Sequence, residues 1–247
     1  MFFGYNGINK NAINIVFAIL IIYSFLGMGT DRLIYLAITL PAVIIAITFH
    51  EFAHALAADK LGDTTPRNQG RLSLNPLVHL DLFGFFLMMF ANIGWGKPVQ
   101  INPNNFNSNK SRNFCESMVA LAGPLMNFFI AIIATFVYVI FKTVKFSFLN
   151  STIGIFILYF FEILITVNIG LGVFNLIPLP PLDGEKIFRN VLPYKAKQWL
   201  DTNYQTLYWV FMLLWIFGLL EVIVTPVVRV LGNALVLGES KIVGIFI

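Results

Sequence analysis

Five stretches of this 247-residue chain are long and apolar enough, or nearly so, to cross a lipid bilayer as helices: residues 12–29, 33–58, 117–141, 153–176 and 207–228. A helix needs about 20 such residues to span the hydrocarbon core. With 58% of residues hydrophobic and 11% charged, the chain departs from the roughly 45–50% and 25% of a soluble domain. A chain of this size cannot hide so much apolar surface from water. The fold class is therefore an all-α polytopic membrane protein, with the lipid bilayer as its solvent. That excludes an ordinary cytosolic enzyme, a disordered regulator and a secreted disulfide scaffold. The net charge of +4 is spread along the chain, without the clustered footprint that a nucleic-acid partner requires. It reads as loop charge facing anionic lipid. Cys115, the single cysteine, reads as a small buried apolar residue. No cleavage site follows the first apolar run cleanly, so it reads as a retained span.

A sixth apolar stretch, residues 82–95, is too short to cross comfortably and ends in Asn92, Gly94, Gly96 and Pro98, which read as turn and strand. Loop charge decides its course. If it crossed, the 16 Lys and Arg residues would divide equally between the two sides. If it turns back, they divide eleven to five, as the positive-inside rule asks of a cytoplasmic side. The expected topology is therefore about five spanning helices plus a re-entrant, hairpin-like segment. The N-terminus and the loops 59–81, 96–116 and 177–206 then face the cytoplasm. Non-helical backbone at membrane depth has to line protein or a watery cavity. No loop is long enough for an added soluble domain, so the chain reads as one membrane domain over 1–247.

The second span contains His50-Glu51-Phe52-Ala53-His54. Residues four apart share a helix face, so both imidazoles can bind one metal. Glu51 beside the first ligand can hold and deprotonate a water. Two nitrogen ligands, an open position and a base suit zinc. A carboxylate and two imidazoles in an apolar span are costly, and such groups are functional by default. At about 1.5 Å per residue the site lies roughly 10 Å inside the cytoplasmic end of the helix.

A catalytic zinc requires a third protein ligand, and the candidates are His79, Asp81, Glu116, Glu162, Asp183 and Glu221. Asp183 follows a run with prolines at 178, 180 and 181, which forbids continued helix and forces an extended segment. That segment can return a carboxylate into the membrane. Only the re-entrant topology puts His54 and Asp183 on the same side, so charge bias and ligand need select one topology independently.

HEFAH at 50–54, LAGPLMN at 121–127 and NLIPLPPLDG at 175–184 resemble the site-2 protease family of intramembrane zinc metalloproteases. GRLSLNP at 70–76 and GWGKPVQINP at 94–103 further resemble its compact bacterial and archaeal members. The resemblance covers about residues 33–192, and its motifs in order are highly specific. It implies His50, His54 and Asp183 as ligands of one zinc ion per chain, and Glu51 as the base. It also implies that Asn175 positions substrate or stabilises the oxyanion. The substrates implied are transmembrane segments of membrane-anchored regulatory proteins, cut at a multi-pass bacterial or archaeal plasma membrane. Larger relatives carry a PDZ or CBS domain; this sequence shows neither.

Other polar residues have plainer readings. His79 orders its own loop. Asn168 shares a face with Asn175 and joins helices, while Gly123-Pro124 permits close packing or a kink. Glu162 and Glu221 pair, snorkel or line a water path, and Pro41 bends the second span. Rival functions are a non-proteolytic membrane zinc-binding protein or transporter, a helix-binding chaperone-like relative, and a lipid-ester hydrolase. A transporter needs the ligands but no base beside them, so Glu51 separates it from a protease.

Overall fold

The computed structural model describes residues 29–91, 94–107, 109–144 and 147–246. The chain divides into two compact units, Met1–Ala37 and Ile38–Ile247. Of the first, only Gly29 and the opening turns of α1 are described, and the account below concerns the second. The expected span over 12–29 lies outside the described residues except for Gly29.

Seven helices carry the described fold: α1 Thr30–Lys60, α2 Leu82–Ala91, α3 Arg112–Val144, α4 Thr152–Asn175, α5 Asp183–Val191, α6 Tyr194–Ile216 and α7 Leu219–Phe246. Single turns at Thr65–Asn68, Pro76–Val78, Pro103–Asn105 and Ser147–Asn150 connect them. Four helices among the described residues are long and apolar enough to cross a membrane: α1, α3, α4 and most of α7. Large apolar side chains face outward on α3 and α4, including Phe129, Ile132 and Phe136 on α3 and Ile153 and Ile155 on α4. Lipid gives no hydrophobic drive for helix association, so close approach by small residues and interhelical hydrogen bonds must supply it. Ala42 on α1 and Ala131 and Ala134 on α3 provide that approach against Leu164, Ile165 and Ile169 of α4. A second cluster joins Leu182, Phe211 and Leu220.

The spans over 33–58 and 117–141 appear as α1 and α3 with both ends extended by a few residues, and that over 153–176 as α4, displaced by one residue. α1 runs through Pro41 as continuous helix. The span expected over 207–228 is instead two helices. Phe217 closes α6 with its N–H on the Leu213 carbonyl, and Gly218 adopts φ +69°, a left-handed conformation open to glycine at little cost. α7 then continues to Phe246, well beyond the expected end.

The 82–95 segment turns back. α2 has ten residues, about 15 Å at the helical rise and half of the roughly 30 Å needed to cross. Its two flanks are bonded together: Leu80 and Gly96 form an antiparallel bridge, and the Lys97 N–H reaches the His79 carbonyl at 2.7 Å. Entry and exit are therefore on one side. Asp81 caps α2 by accepting the Gly84 N–H at 2.8 Å.

Asp63 ties the loop after α1 to the loop before α3. Its fully buried carboxylate accepts from the Thr65 N–H at 3.0 Å, the Asn102 N–H at 2.6 Å and Asn105 Nδ2 at 3.0 Å. Burial pushes its pKa up, but these donors outweigh burial and hold it below the ordinary carboxylate value. The stabilisation is thus complete above the unfolded value of about 3.9 and is lost as pH falls through the depressed folded value. Thermal unfolding of the full chain in detergent between neutral pH and pH about 3 checks this. The wild type should lose more stability over that interval than Asp63→Asn, and equal losses would refute the assignment.

Candidate metal centre

His50 and His54 occupy successive turns of α1 and are both buried, with ring centroids 4.6 Å apart and planes at 90°. His54 Nδ1 lies 2.7 Å from the Val119 carbonyl of α3. A carbonyl only accepts, so Nδ1 carries a proton, and in the neutral ring Nε2 is then left bare. His50 Nδ1 lies 2.7 Å from Asn127 Oδ1, and the orientation of that amide is set by what it donates to. Asn127 Nδ2 donates to the Ala46 carbonyl at 3.1 Å and to Asn168 Oδ1 at 3.0 Å. Asn168 Nδ2 in turn donates to the Leu164 carbonyl at 2.8 Å. Because this chain of donors ends on carbonyls, Asn127 Oδ1 must accept. The His50 tautomer assigned from it again leaves Nε2 bare.

Asp183 reaches the same point from the far side. α4 ends at Asn175, the proline-rich turn leads back, and Asp183 opens α5. Its Oδ2 lies 3.2 Å from His50 Nε2 and 3.1 Å from His54 Nε2, and the two Nε2 atoms are 3.0 Å apart. Asp183 Oδ2 is buried without a hydrogen-bond donor, as expected when both ring protons sit on Nδ1. Three lone pairs thus converge with no proton assigned between them. Such a triangle repels itself unless a proton or a metal ion lies among its corners. Among the described residues these three form the one group of His, Cys, Asp or Glu able to hold a metal ion.

The other candidates lie elsewhere. His79 is wholly buried in its loop, with Nε2 2.7 Å from the Ser73 carbonyl. Asp81 is the cap of α2, and Glu162 accepts the phenol of Tyr138. Glu221 is exposed at the start of α7, and Glu116 stands outside the cluster. Asn175 turns its amide onto the Leu171 carbonyl of its own helix at 3.0 Å. Glu51, next to His50, accepts the Val99 N–H through Oε2 at 2.9 Å.

With this geometry in hand, comparison with known proteins places the chain. The profile of Peptidase family M50 matches residues 38–219, most of the described structure and all of the polar cluster. The chain belongs to Peptidase family M50. It is a multi-pass membrane metalloprotease of this family, which is the site-2 protease family that the motifs resemble. A Bacillus subtilis protein named "Putative zinc metalloprotease YwhC" is 41% identical over 159 residues, covering 64% of this chain and 69% of that one. A Methanocaldococcus jannaschii protein named "Putative zinc metalloprotease MJ0611" is 27% identical over 180 residues, covering 73% and 84%. No solved structure matches the chain significantly.

The close packing expected at Gly123-Pro124 falls on the cluster itself. A Cβ added at Gly123 would overlap His54 Nε2 and stand 2.6 Å from His50 Cε1, so the imidazoles rest against bare backbone. The sequence signal was the Gly–Pro pair and the lone Asn127 in an apolar helix. Gly123→Ala is expected to displace both rings and abolish metal retention, read as bound metal per purified chain. Asn127→Ala, which frees the His50 tautomer, is expected to weaken metal affinity about 10–100-fold, the usual cost of losing such an outer partner. Competitive chelator titration measures that loss, and unchanged affinity would sink the tautomer argument.

Proposed function

We propose that this chain is an intramembrane zinc metalloprotease, hydrolysing peptide bonds in or near transmembrane segments of membrane-anchored proteins. The observation that carries this reading is the triangle of bare His50 Nε2, His54 Nε2 and Asp183 Oδ2 atoms with Glu51 one residue away. The donor set fits zinc: two neutral imidazoles and one carboxylate, with room for a fourth ligand. Ligand atoms about 2.0–2.1 Å from one tetrahedral ion stand about 3.3–3.4 Å apart, close to the 3.0–3.2 Å edges observed. The names of both relatives point to the same metal. The proposed stoichiometry is one ion per chain.

When bound, zinc supplies Lewis acidity that polarises a carbonyl and makes water nucleophilic near neutral pH. The remaining work falls to side chains. Glu51 takes the proton of the attacking water on a carboxylate oxygen and delivers it to the leaving amine nitrogen. Asn127 and the Val119 carbonyl hold the imidazole Nδ1 protons, which leaves each Nε2 to face the ion. Asn175 donates to the oxyanion, a contribution of about 3 kcal/mol where such donors have been removed. One of its two amide protons is spent on the Leu171 carbonyl, and the other is left for this donation. A helical substrate must unwind before cutting, and we assign residues 95–101 as the extended segment beside which it is laid. The Lys97 and Val99 N–H groups are already spent on His79 and Glu51, so the opposite edge is the one on offer.

The proposed domain covers 1–247 with its core at about 33–192. Its setting is a bacterial or archaeal plasma membrane, with the site towards the cytoplasm, where eleven of the 16 basic residues would collect. Cleavage of single-span reporter proteins tests the reading, comparing wild type with Glu51→Gln at equal zinc content. Wild type should cleave, chelation should stop it, and Glu51→Gln should lower the rate by at least about 100-fold, the lower reach of general acid–base catalysis. A zinc-loaded wild type that cuts no reporter beside an active control would favour the non-proteolytic zinc-binding protein or transporter instead.

A further inference from the structure

The extended segment 94–102 does something for Glu51 that the chemistry above has not used. Glu51 sits on a helix with several rotatable side-chain bonds, and among the described residues its carboxylate is held by the main chain of this segment. The local sequence explains how. In an extended chain alternate residues point to one edge, so Lys97 and Val99 aim their N–H groups the same way, while Pro98 between them has none. The first of these donors reaches the His79 carbonyl at 2.7 Å and the second reaches Glu51 Oε2 at 2.9 Å. Gly96 lets the backbone press against α1. A Cβ there would stand 2.8 Å from Ile47 Cγ2, one turn before Glu51, and 3.9 Å from Glu51 Oε1.

Arg71 keeps the segment in that place. Its side chain is buried, at 6% exposure, and its bonds go to main-chain carbonyls rather than to a carboxylate: Val78, Lys97 at 3.3 Å and Pro98 at 3.4 Å. A guanidinium presents its donors as a rigid fork, and here the fork joins the loop before α2 to the segment after it. Beyond the fork, Asp63 holds the Asn102 N–H, so the segment is fixed on both sides of Val99. We propose that Arg71 is a positioning residue for proteolysis: it clamps the 96–99 backbone so that the Val99 amide holds Glu51 in its working orientation. This rests on the assignment of Glu51 as the proton-transfer group. Arg71 touches none of the metal-binding side chains, whose outer partners are Asn127 and Val119, so its effect is separable from metal binding.

The test uses the zinc-loaded full chain in detergent micelles and compares Arg71→Gln, Val99→Pro and Glu51→Gln with wild type. Three quantities are read: zinc per chain, kcat and KM on a reporter that wild type cleaves, and hydrogen–deuterium exchange of peptides covering 95–102. Arg71→Gln should keep its zinc, speed exchange over 97–100 at least tenfold, and lower kcat about 10–100-fold with KM nearly unchanged. A misplacement of about 1 Å costs about 100-fold. Val99→Pro, which removes the donor and leaves the clamp, should lower kcat alike. Glu51→Gln should keep the segment protected, since its amide oxygen still accepts from Val99. Unchanged exchange in Arg71→Gln, or unchanged kcat in Val99→Pro, would overturn the proposal. So would a raised KM at full kcat, which would assign the segment to substrate binding alone. Should Arg71→Gln lose zinc and protection throughout the chain, the Val99→Pro measurement decides. Cleavage by Glu51→Gln would show that the assignment of Glu51 had failed. Its inactivity beside fully active Val99→Pro and Arg71→Gln would show that only the clamp had.

Discussion

The hydrogen bond between Asn127 and His50 is the contact on which the rest of the site depends. Asn127 lies fully buried on α3, and its single amide reaches α1 twice, at His50 and at the Ala46 carbonyl, and α4 once, at Asn168. In lipid, where apolar surface gives no preference for one helix partner over another, interhelical bonds of this kind contribute about 0.6–2 kcal/mol each. They matter more for direction than for strength. The same three bonds that hold the helices together decide which nitrogen of His50 is protonated, and hence whether its other nitrogen can bind a metal. Packing and chemistry are here one network, so the centre cannot be loosened without loosening the bundle around it.

How far the fold was legible depended on which physical signal each element carried. The transmembrane helices α1, α3 and α4 announce themselves by apolar length, because the thickness of the bilayer sets a minimum that few other structures meet. The turn-back of 82–95 was legible from its shortness and from charge bias, although the contact that closes it, Leu80 against Gly96, is a backbone pairing with no sequence signature. The break between α6 and α7 was not legible. Gly218 sits in an apolar run, glycine is common inside membrane helices, and only the surrounding packing determines that this one takes a positive φ.

The site divides in the same way. His50, Glu51 and His54 follow from helical spacing; the prolines before Asp183 made it one of six candidates able to reach them, and the family resemblance singled it out. Their outer partners were harder to read. Asn127 was visible only as a polar residue in an apolar helix, without indication of what it touches. The Val99 amide and the Val119 carbonyl are main-chain groups, which every residue but proline possesses in full, so sequence cannot single them out. Arg71 counted only as one basic residue of a loop, and Asp63 carried no signal at all; their burial comes from two loops folding over the end of α1.

The small size of the His50–His54–Asp183 triangle bears on which ions could compete for it in a cell. Calcium takes six to eight oxygen ligands at 2.3–2.6 Å, and magnesium demands an octahedron of oxygens and gives up its waters reluctantly. A ring of two nitrogens and one oxygen, with edges of 3.0–3.2 Å, offers neither the number nor the kind of ligands they need. Asn127, Val119 and the bare backbone at Gly123 brace the imidazoles from behind, so widening the ring beyond the few tenths of an ångström that zinc asks would disturb the helix packing. Discrimination against the abundant hard cations is therefore a property of how the helices pack, set before any metal arrives.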